Sequence, residues 1–156
     1  MQFTEIFQPE QIVPEMKATA AFEAIDELIG HLVKSGKINS ELAGKISTFV
    51  KQRETSMTTG IGFGVAIPHA HCDLITDVLA VLGRSRGGID FNSLDNQPVK
   101  FVALLVVPAN QRQKHLPTLA GIARLLRNKD LRAKLEAASD QNGIFAVIQE
   151  GEAPSS

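Results

Sequence analysis

The chain has 156 residues, enough for one domain with a substantial core and no more. With 16 Lys and Arg against 17 Asp and Glu the formal net charge is −1, which excludes a generic basic nucleic-acid binder, because neutralising phosphates takes clustered positive charge. The single cysteine, Cys72, can close no internal disulfide, so a disulfide-stapled secreted scaffold is excluded as well.

Met1–Glu5 carries no basic region and no apolar stretch follows it, so no signal peptide is read. The longest apolar run, Phe101–Val107, is far below the roughly 20 residues that cross a bilayer. A cytoplasmic chain with no nucleic-acid partner and no membrane insertion is the expectation. In chain order, Phe3–Val13 reads as extended structure broken by Pro9 and Pro14. Phe22, Ile25, Leu28, Ile29, Leu32 and Val33 recur at helical spacing, and Gly36 stands where a helix-ending glycine belongs. Asn39 is a good N-cap for a second helix with Leu42, Ile46, Phe49 and Val50 on its apolar face and Arg53 in its last turn. Val78–Leu82 reads as a short strand and Arg84–Asn96 as a turn-rich stretch. Val99–Val107 is almost uninterruptedly apolar and predicts a central strand covered on both faces. Helices follow, split near Asn128–Asp130. Ile144–Ile148 reads as a short closing segment and Gly151–Ser156 as a loose tail, leaving one domain over 3–150. The predicted class is α/β, or α+β with a mixed sheet.

Gly60, Gly62 and Gly64 alternate just before Ile67-Pro68-His69. Such a loop can bring backbone N–H groups close to an anion. It matches neither a dinucleotide-binding pattern nor a Walker A loop, so alone it means no more than a tight connection. What gives it weight is His69. Pro68 restricts Ile67 to extended geometry and sets the imidazole on a stiff stem beside the glycines. His69, His71, Cys72 and Asp73 are all metal-ligand types. The two imidazoles are expected on opposite sides of the chain, and no His-Glu-x-x-His pattern or second cysteine pair is present, so no metal site is expected. Gly83-Arg84-Ser85-Arg86-Gly87 matches a hydrolase nucleophile elbow, with Asp90 and His115 following in triad order. A helix must follow such a serine, and Gly87-Gly88-Ile89 reads as a turn and then a strand, so Ser85 is not expected to be a nucleophile. His115 precedes Leu116-Pro117 and is read at or just outside a helix N-terminus, where free backbone donors collect.

The stretch from Arg53-Glu54 through Thr58-Thr59-Gly60-Ile61-Gly62-Phe63-Gly64 to Ile67-Pro68-His69-Ala70 resembles the phosphotransferase-system enzyme IIA domain of the fructose/mannitol type, including its nitrogen-regulatory branch. Gly88-Ile89-Asp90-Phe91 and His115-Leu116 with Leu119-Ala120 resemble two further stretches of that family. His71, Cys72 and Phe63 depart from the family's usual residues. The resemblance implies a mixed central sheet with helices on both sides. It implies a phosphocarrier that accepts a phosphoryl group on His69 from an HPr-type phosphohistidine carrier. His115 and Arg53 would lie close by, and Thr59, Gly60, Gly62 and Gly64 would bind phosphate. It requires no cofactor and no metal. The onward partner would be a regulatory target protein or an enzyme IIB. A binding module that acts on other proteins without passing phosphate on is the alternative of a different class.

Overall fold

The computed structural model describes residues 2–152. Its organising element is β6 (Val99–Pro108), in which every residue except Lys100 is buried. A strand apolar on both sides needs cover on both faces. Val102, Leu104 and Val106 face α2 (Ala21–Lys34) and α3 (Ser40–Ser56), packing with Leu28, Leu32, Ile46 and Val50. Phe101, Ala103, Leu105 and Val107 face the other way. They meet Ile122 and Leu126 of α4 (Arg112–Arg127), Leu135 of α5 (Lys129–Ala137) and Ile144 and Ile148 of α6 (Gln141–Glu152). The period-two alternation of a strand thus divides the interior into two cores.

β5 (Leu79–Ile89) pairs antiparallel with one side of β6 and carries β1 (Ile12–Val13) parallel at its outer edge. On the other side β3 (Val65–Ala66) and β4 (His69–Cys72) run parallel to β6 in one register, Val65 opposite Phe101 and His69 opposite Leu105. Pro68 lies between them and has no N–H to give, yet its carbonyl still accepts from the Leu105 amide at 3.0 Å. β2 (Gly60–Gly62) folds back antiparallel on β3. The sheet is mixed with helices on both faces, as the sequence predicts.

Two helix boundaries are those read from sequence. Gly36 has φ +78°, and the Lys37 and Gly36 amides return to the Leu32 and Val33 carbonyls at 2.9 and 3.0 Å, a Schellman closure of α2. Asn39 Oδ1 accepts from the Leu42 amide at 2.8 Å and starts α3.

Elsewhere the fold corrects the sequence reading. Phe3–Val13 is not extended: α1 (Phe3–Ile6) and a 3-10 turn (Pro9–Gln11) come first, and only Ile12–Val13 is strand. Ile6 and Phe7 are buried against the α6 side, and the Glu152 carboxylate accepts from the Phe3 and Thr4 amides at the start of α1. Glu152 and Gly151 therefore belong to α6 and not to a tail. A Cβ on Gly151 would come within 2.2 Å of the Leu131 side chain, so the glycine permits close packing where its composition suggested looseness. The rest of the expected tail lies outside the described residues. Ile144–Ile148 is the middle of a 12-residue helix. β5 runs on through Arg84–Ile89, where a short strand and a turn were expected, and absorbs Gly87-Gly88 as an irregularity in its pairing with β6. Among the described residues no helix is long and apolar enough to cross a membrane.

Candidate functional site

Among the described residues β4 pairs with β6 alone, so it is a sheet edge. The end of α3 and the start of α4 both reach this edge. Between them lies a groove of about 350 Å³, lined by Phe49, Gln52 and Arg53 of α3, His69, Ala70 and His71 of β4, and Arg112 of α4.

His69 is half-buried in this groove. Its Nδ1 lies 2.8 Å from the Ile67 carbonyl oxygen. A carbonyl can only accept, so Nδ1 carries the proton and Nε2 keeps a free lone pair. Burial, joined by the nearby Arg53 charge, holds the imidazole below the usual histidine pKa and outweighs the Ile67 hydrogen bond and the Glu54 charge, which act the other way. The ring therefore favours the neutral form at pH 7, with Nε2 unprotonated.

Arg53 lies in the last turn of α3, where the helix dipole favours a cation, and Nη1 donates to the Met57 carbonyl at 2.8 Å. Glu54, the next residue, is buried. Its carboxylate accepts from the Thr59 amide at 2.7 Å and the Thr59 hydroxyl at 2.6 Å. The Thr59 carbonyl in turn accepts from the Ile67 amide at 3.1 Å. The end of α3 is thus bonded through Thr59 to the residue whose own carbonyl fixes the His69 tautomer. This linkage escapes the sequence reading, which gives Glu54 no role. Phe49, Gln52 and Arg53 do follow helical spacing, a signal that they share one face. Arg112 carries no such signal, because only the pairing of β4 with β6 brings the start of α4 to this edge.

The other residues singled out from sequence, His71 aside, are not among those that line the groove. Phe63 and Gly64, with φ of +60° and +74°, form the two-residue turn between β2 and β3, the geometry of a type I′ hairpin. None of Gly60, Gly62, Gly64 or Thr59 lines the groove. The Gly60 amide donates to Thr58 Oγ1 at 3.0 Å and the Phe63 amide to Asp95 Oδ2 at 3.3 Å, so both donors already have partners and one faces a carboxylate. His115 is 1% exposed and is the fourth residue of α4, not a residue at its mouth, and Pro117 lies well inside the same helix. The helix begins earlier than Pro117 suggests, directly after the 3-10 turn Ala109–Gln111. His115 Nε2 donates to Gln111 Oε1 at 3.2 Å, and Nδ1 faces Thr118 Oγ1 at 3.3 Å. Ser85 is buried in mid-strand, its oxygen accepting from the Gly88 amide at 3.0 Å, with no helix behind it.

His69 and His71 do not point to opposite sides. Residues two apart on a strand share a face, and the rings stand 6.4 Å apart, edge to face. The expectation of no metal therefore loses that support. Cys72 is buried on the opposite face, among the α2–α3 core. Among the described residues no three His, Cys, Asp or Glu side chains gather as a metal site would need.

His69, His71 and His115 all have folded-state pKa values below the ordinary 6.5, each chiefly through burial. The unfolded chain then binds more protons than the folded one below about pH 6.5, so stability rises with pH across that window and falls on acidification. Thermal unfolding followed by circular dichroism should give a lower Tm at pH 5.5 than at pH 7.5. A Tm that is flat or rising on acidification would contradict it.

The sequence model of the family described as "Phosphoenolpyruvate-dependent sugar phosphotransferase system, EIIA 2" matches residues 5–151. A nitrogen regulatory protein of Bradyrhizobium diazoefficiens is 36% identical over 148 residues, 95% of each chain. A fructose-specific EIIA component of Haloferax volcanii is 34% identical over 127 residues, 81% of each chain. Among solved structures, the nitrogen regulatory protein IIA-Ntr of Neisseria meningitidis superposes with a TM-score of 0.83 at 26% identity, covering 92% of this chain and 97% of its own. Enzyme IIAMTL of Escherichia coli, solved in complex with phosphorylated enzyme IIBMTL, superposes with a TM-score of 0.75 at 19% identity, covering 92% of this chain and 99% of its own.

Proposed function

We propose that this chain, which belongs to the EIIA 2 family of the phosphoenolpyruvate-dependent sugar phosphotransferase system, carries its phosphoryl group on Nε2 of His69. The chain is an EIIA-type phosphocarrier, and its family is a phosphotransfer component. The observation that carries the assignment is the Nδ1 contact with the Ile67 carbonyl, which leaves one unprotonated nitrogen in a groove lined by two guanidinium groups.

The donor is an HPr-type carrier phosphorylated on its own histidine and protonated on that ring's other nitrogen. The carrier's P–N bond breaks and its electron pair stays on the carrier, which leaves as a neutral imidazole. The His69 lone pair forms the new P–N bond. No proton leaves the His69 ring, whose growing positive charge is stabilised by the Ile67 carbonyl. Such a transfer has a loose transition state and depends on positioning and charge more than on acid–base chemistry. Arg53 faces the phosphoryl oxygens. Thr59 and the glycine hairpin act through Glu54 and Ile67, by holding the stem. His115 holds the first turn of α4 through Gln111. No metal or cofactor enters, and the reaction takes place in the cytoplasm.

Onward from His69, the similarity to nitrogen regulatory proteins over nearly the whole chain favours a regulatory target protein read according to phosphorylation state. The second reading, transfer to an enzyme IIB, is favoured by the fructose-specific relative and by the IIAMTL–IIBMTL complex.

The test is incubation with HPr-type carrier that has been phosphorylated in advance and separated from enzyme I. One acid-labile, base-stable phosphate per chain is expected, unchanged by chelators. No labelling, or labelling that requires a divalent metal, would overturn the proposal.

A further inference from the structure

The groove holds a second guanidinium, Arg112, for which neither the family resemblance nor the sequence reading gives a role. It is the first residue of α4, four positions beyond Pro108, where β6 ends opposite Cys72. Among the described residues it makes no salt bridge, and no carboxylate lines the groove. Its one side-chain partner is His71: Nη2 lies 3.3 Å from His71 Nδ1. A guanidinium only donates, so Nδ1 of His71 must be the unprotonated nitrogen and Nε2 carries the proton. His71 thus holds the tautomer opposite to that of His69. Burial, with the Arg112 charge beside it, also keeps this ring neutral.

The consequence is a division of labour between two rings 6.4 Å apart at 85°. One presents a lone pair to the groove. The other spends its lone pair on orienting an arginine. Arg53 reaches the groove from α3 and Arg112 from α4, so the two cations approach from the two helix layers that flank the sheet edge. A phosphoryl group on His69 has three outer oxygens, and a single arginine, itself tied to the Met57 carbonyl, is a poor match for all of them.

Resting on the reading of His69 as the phosphate carrier, we infer that Arg112 binds the transferring phosphoryl oxygens as the counterpart of Arg53, and that His71 is a positioning residue that aims it.

The experiment compares wild type, Arg112→Gln, Arg112→Lys, His71→Gln and the Arg112→Gln/His71→Gln double variant as full chains. Single-turnover phosphorylation is measured with phosphorylated HPr-type carrier over a range of carrier concentrations, and again with phosphoramidate, a small donor with no protein surface. Arg112→Gln should reach full labelling at a rate roughly 100-fold slower at saturation, the low end for a lost preorganised donor. Arg112→Lys should recover part of this, since it keeps the charge and loses the fork. His71→Gln should slow transfer about tenfold, an effect smaller than the full loss of the arginine that it serves. The double variant should be no slower than Arg112→Gln alone, because His71 acts only through the arginine. A wild-type rate in folded Arg112→Gln, or slowing with the carrier alone and not with phosphoramidate, would overturn the inference. Additive effects in the double variant would overturn the part given to His71. Each of these outcomes leaves labelling at His69 intact; labelling that survives His69→Ala would instead overturn the reading beneath it.

Discussion

His69→Ala is expected to accept no phosphate at all from a phosphorylated carrier, whereas every other groove variant should still be labelled, only more slowly. The distinction follows from which atom forms the bond. Alanine removes the only lone pair offered to phosphorus, and no neighbouring group substitutes for it, because the His71 Nδ1 is already engaged by Arg112. Arg53→Lys keeps its charge near the site and loses the planar fork, so a slowing of roughly 100-fold is expected, the low end of the loss for one preorganised donor in an open groove. The fold should survive His69→Ala, since the ring is half-buried and its hydrogen bond is to the carbonyl two residues back. The measurement is stoichiometric labelling, with folding checked by far-UV circular dichroism because the chain has no Trp or Tyr. Full labelling of folded His69→Ala would remove His69 from the mechanism.

The second large effect concerns stability and lies away from the groove. Arg84, on β5, is 2% exposed. Nε donates to the Pro14 carbonyl at 3.0 Å, and Nη1 to the Leu135 carbonyl at 2.7 Å and to the Ala138 carbonyl. One side chain thus joins the strand to the segment before α2 and closes the end of α5, where cations suit both the dipole and the unpaired carbonyls. Arg84→Met takes a donor from the Pro14 and Leu135 carbonyls and leaves the Ala138 carbonyl with the longer 3.4 Å bond from Arg86 Nη2. At about 1 kcal/mol for each lost hydrogen bond, the expected cost is about 3 kcal/mol. For a chain of this size that lowers Tm by roughly 6–12 °C. Thermal and urea unfolding measure it, and phosphate acceptance well below the new Tm should match wild type. An unchanged Tm would show that water replaces the guanidinium at no cost.

How much of this was legible before the structure depended on how local each determinant is. The apolar run of β6, the Gly36 closure and the Asn39 cap are set by residues close in sequence, and they were readable. β5 was not. A strand that buries an arginine gives no apolar alternation, and the carbonyls that make that burial tolerable come from the Pro14 and Leu135–Ala138 segments, far away in the chain. Phe3–Ile6 likewise depends on Glu152, at the opposite end of the described chain. At the site, Pro68-His69 and Arg53 stood out through local chemistry. Their supports did not: Glu54 works through a buried hydrogen bond to Thr59, and Arg112 reaches His71 only because β4 and β6 lie side by side. Gly62 and Gly64 take the positive φ of the hairpin, and Gly60 lies where a Cβ would meet Ser93, a long-range contact that their spacing in sequence could not show.

The bond from Glu152 to the start of α1 brings the two ends of the fold together, and this sets how the domain should respond to force. A pull applied between the ends loads this clasp first. α1 and α6 would peel away while β6, buried in the middle of the sheet, is still shielded on both sides. Since His69 and His71 are held in register by β6 and not by the terminal helices, the edge that holds the two imidazoles should stay intact while the clasp opens. Single-molecule stretching should show a small early extension from the clasp, followed by a separate, larger event when the sheet gives way.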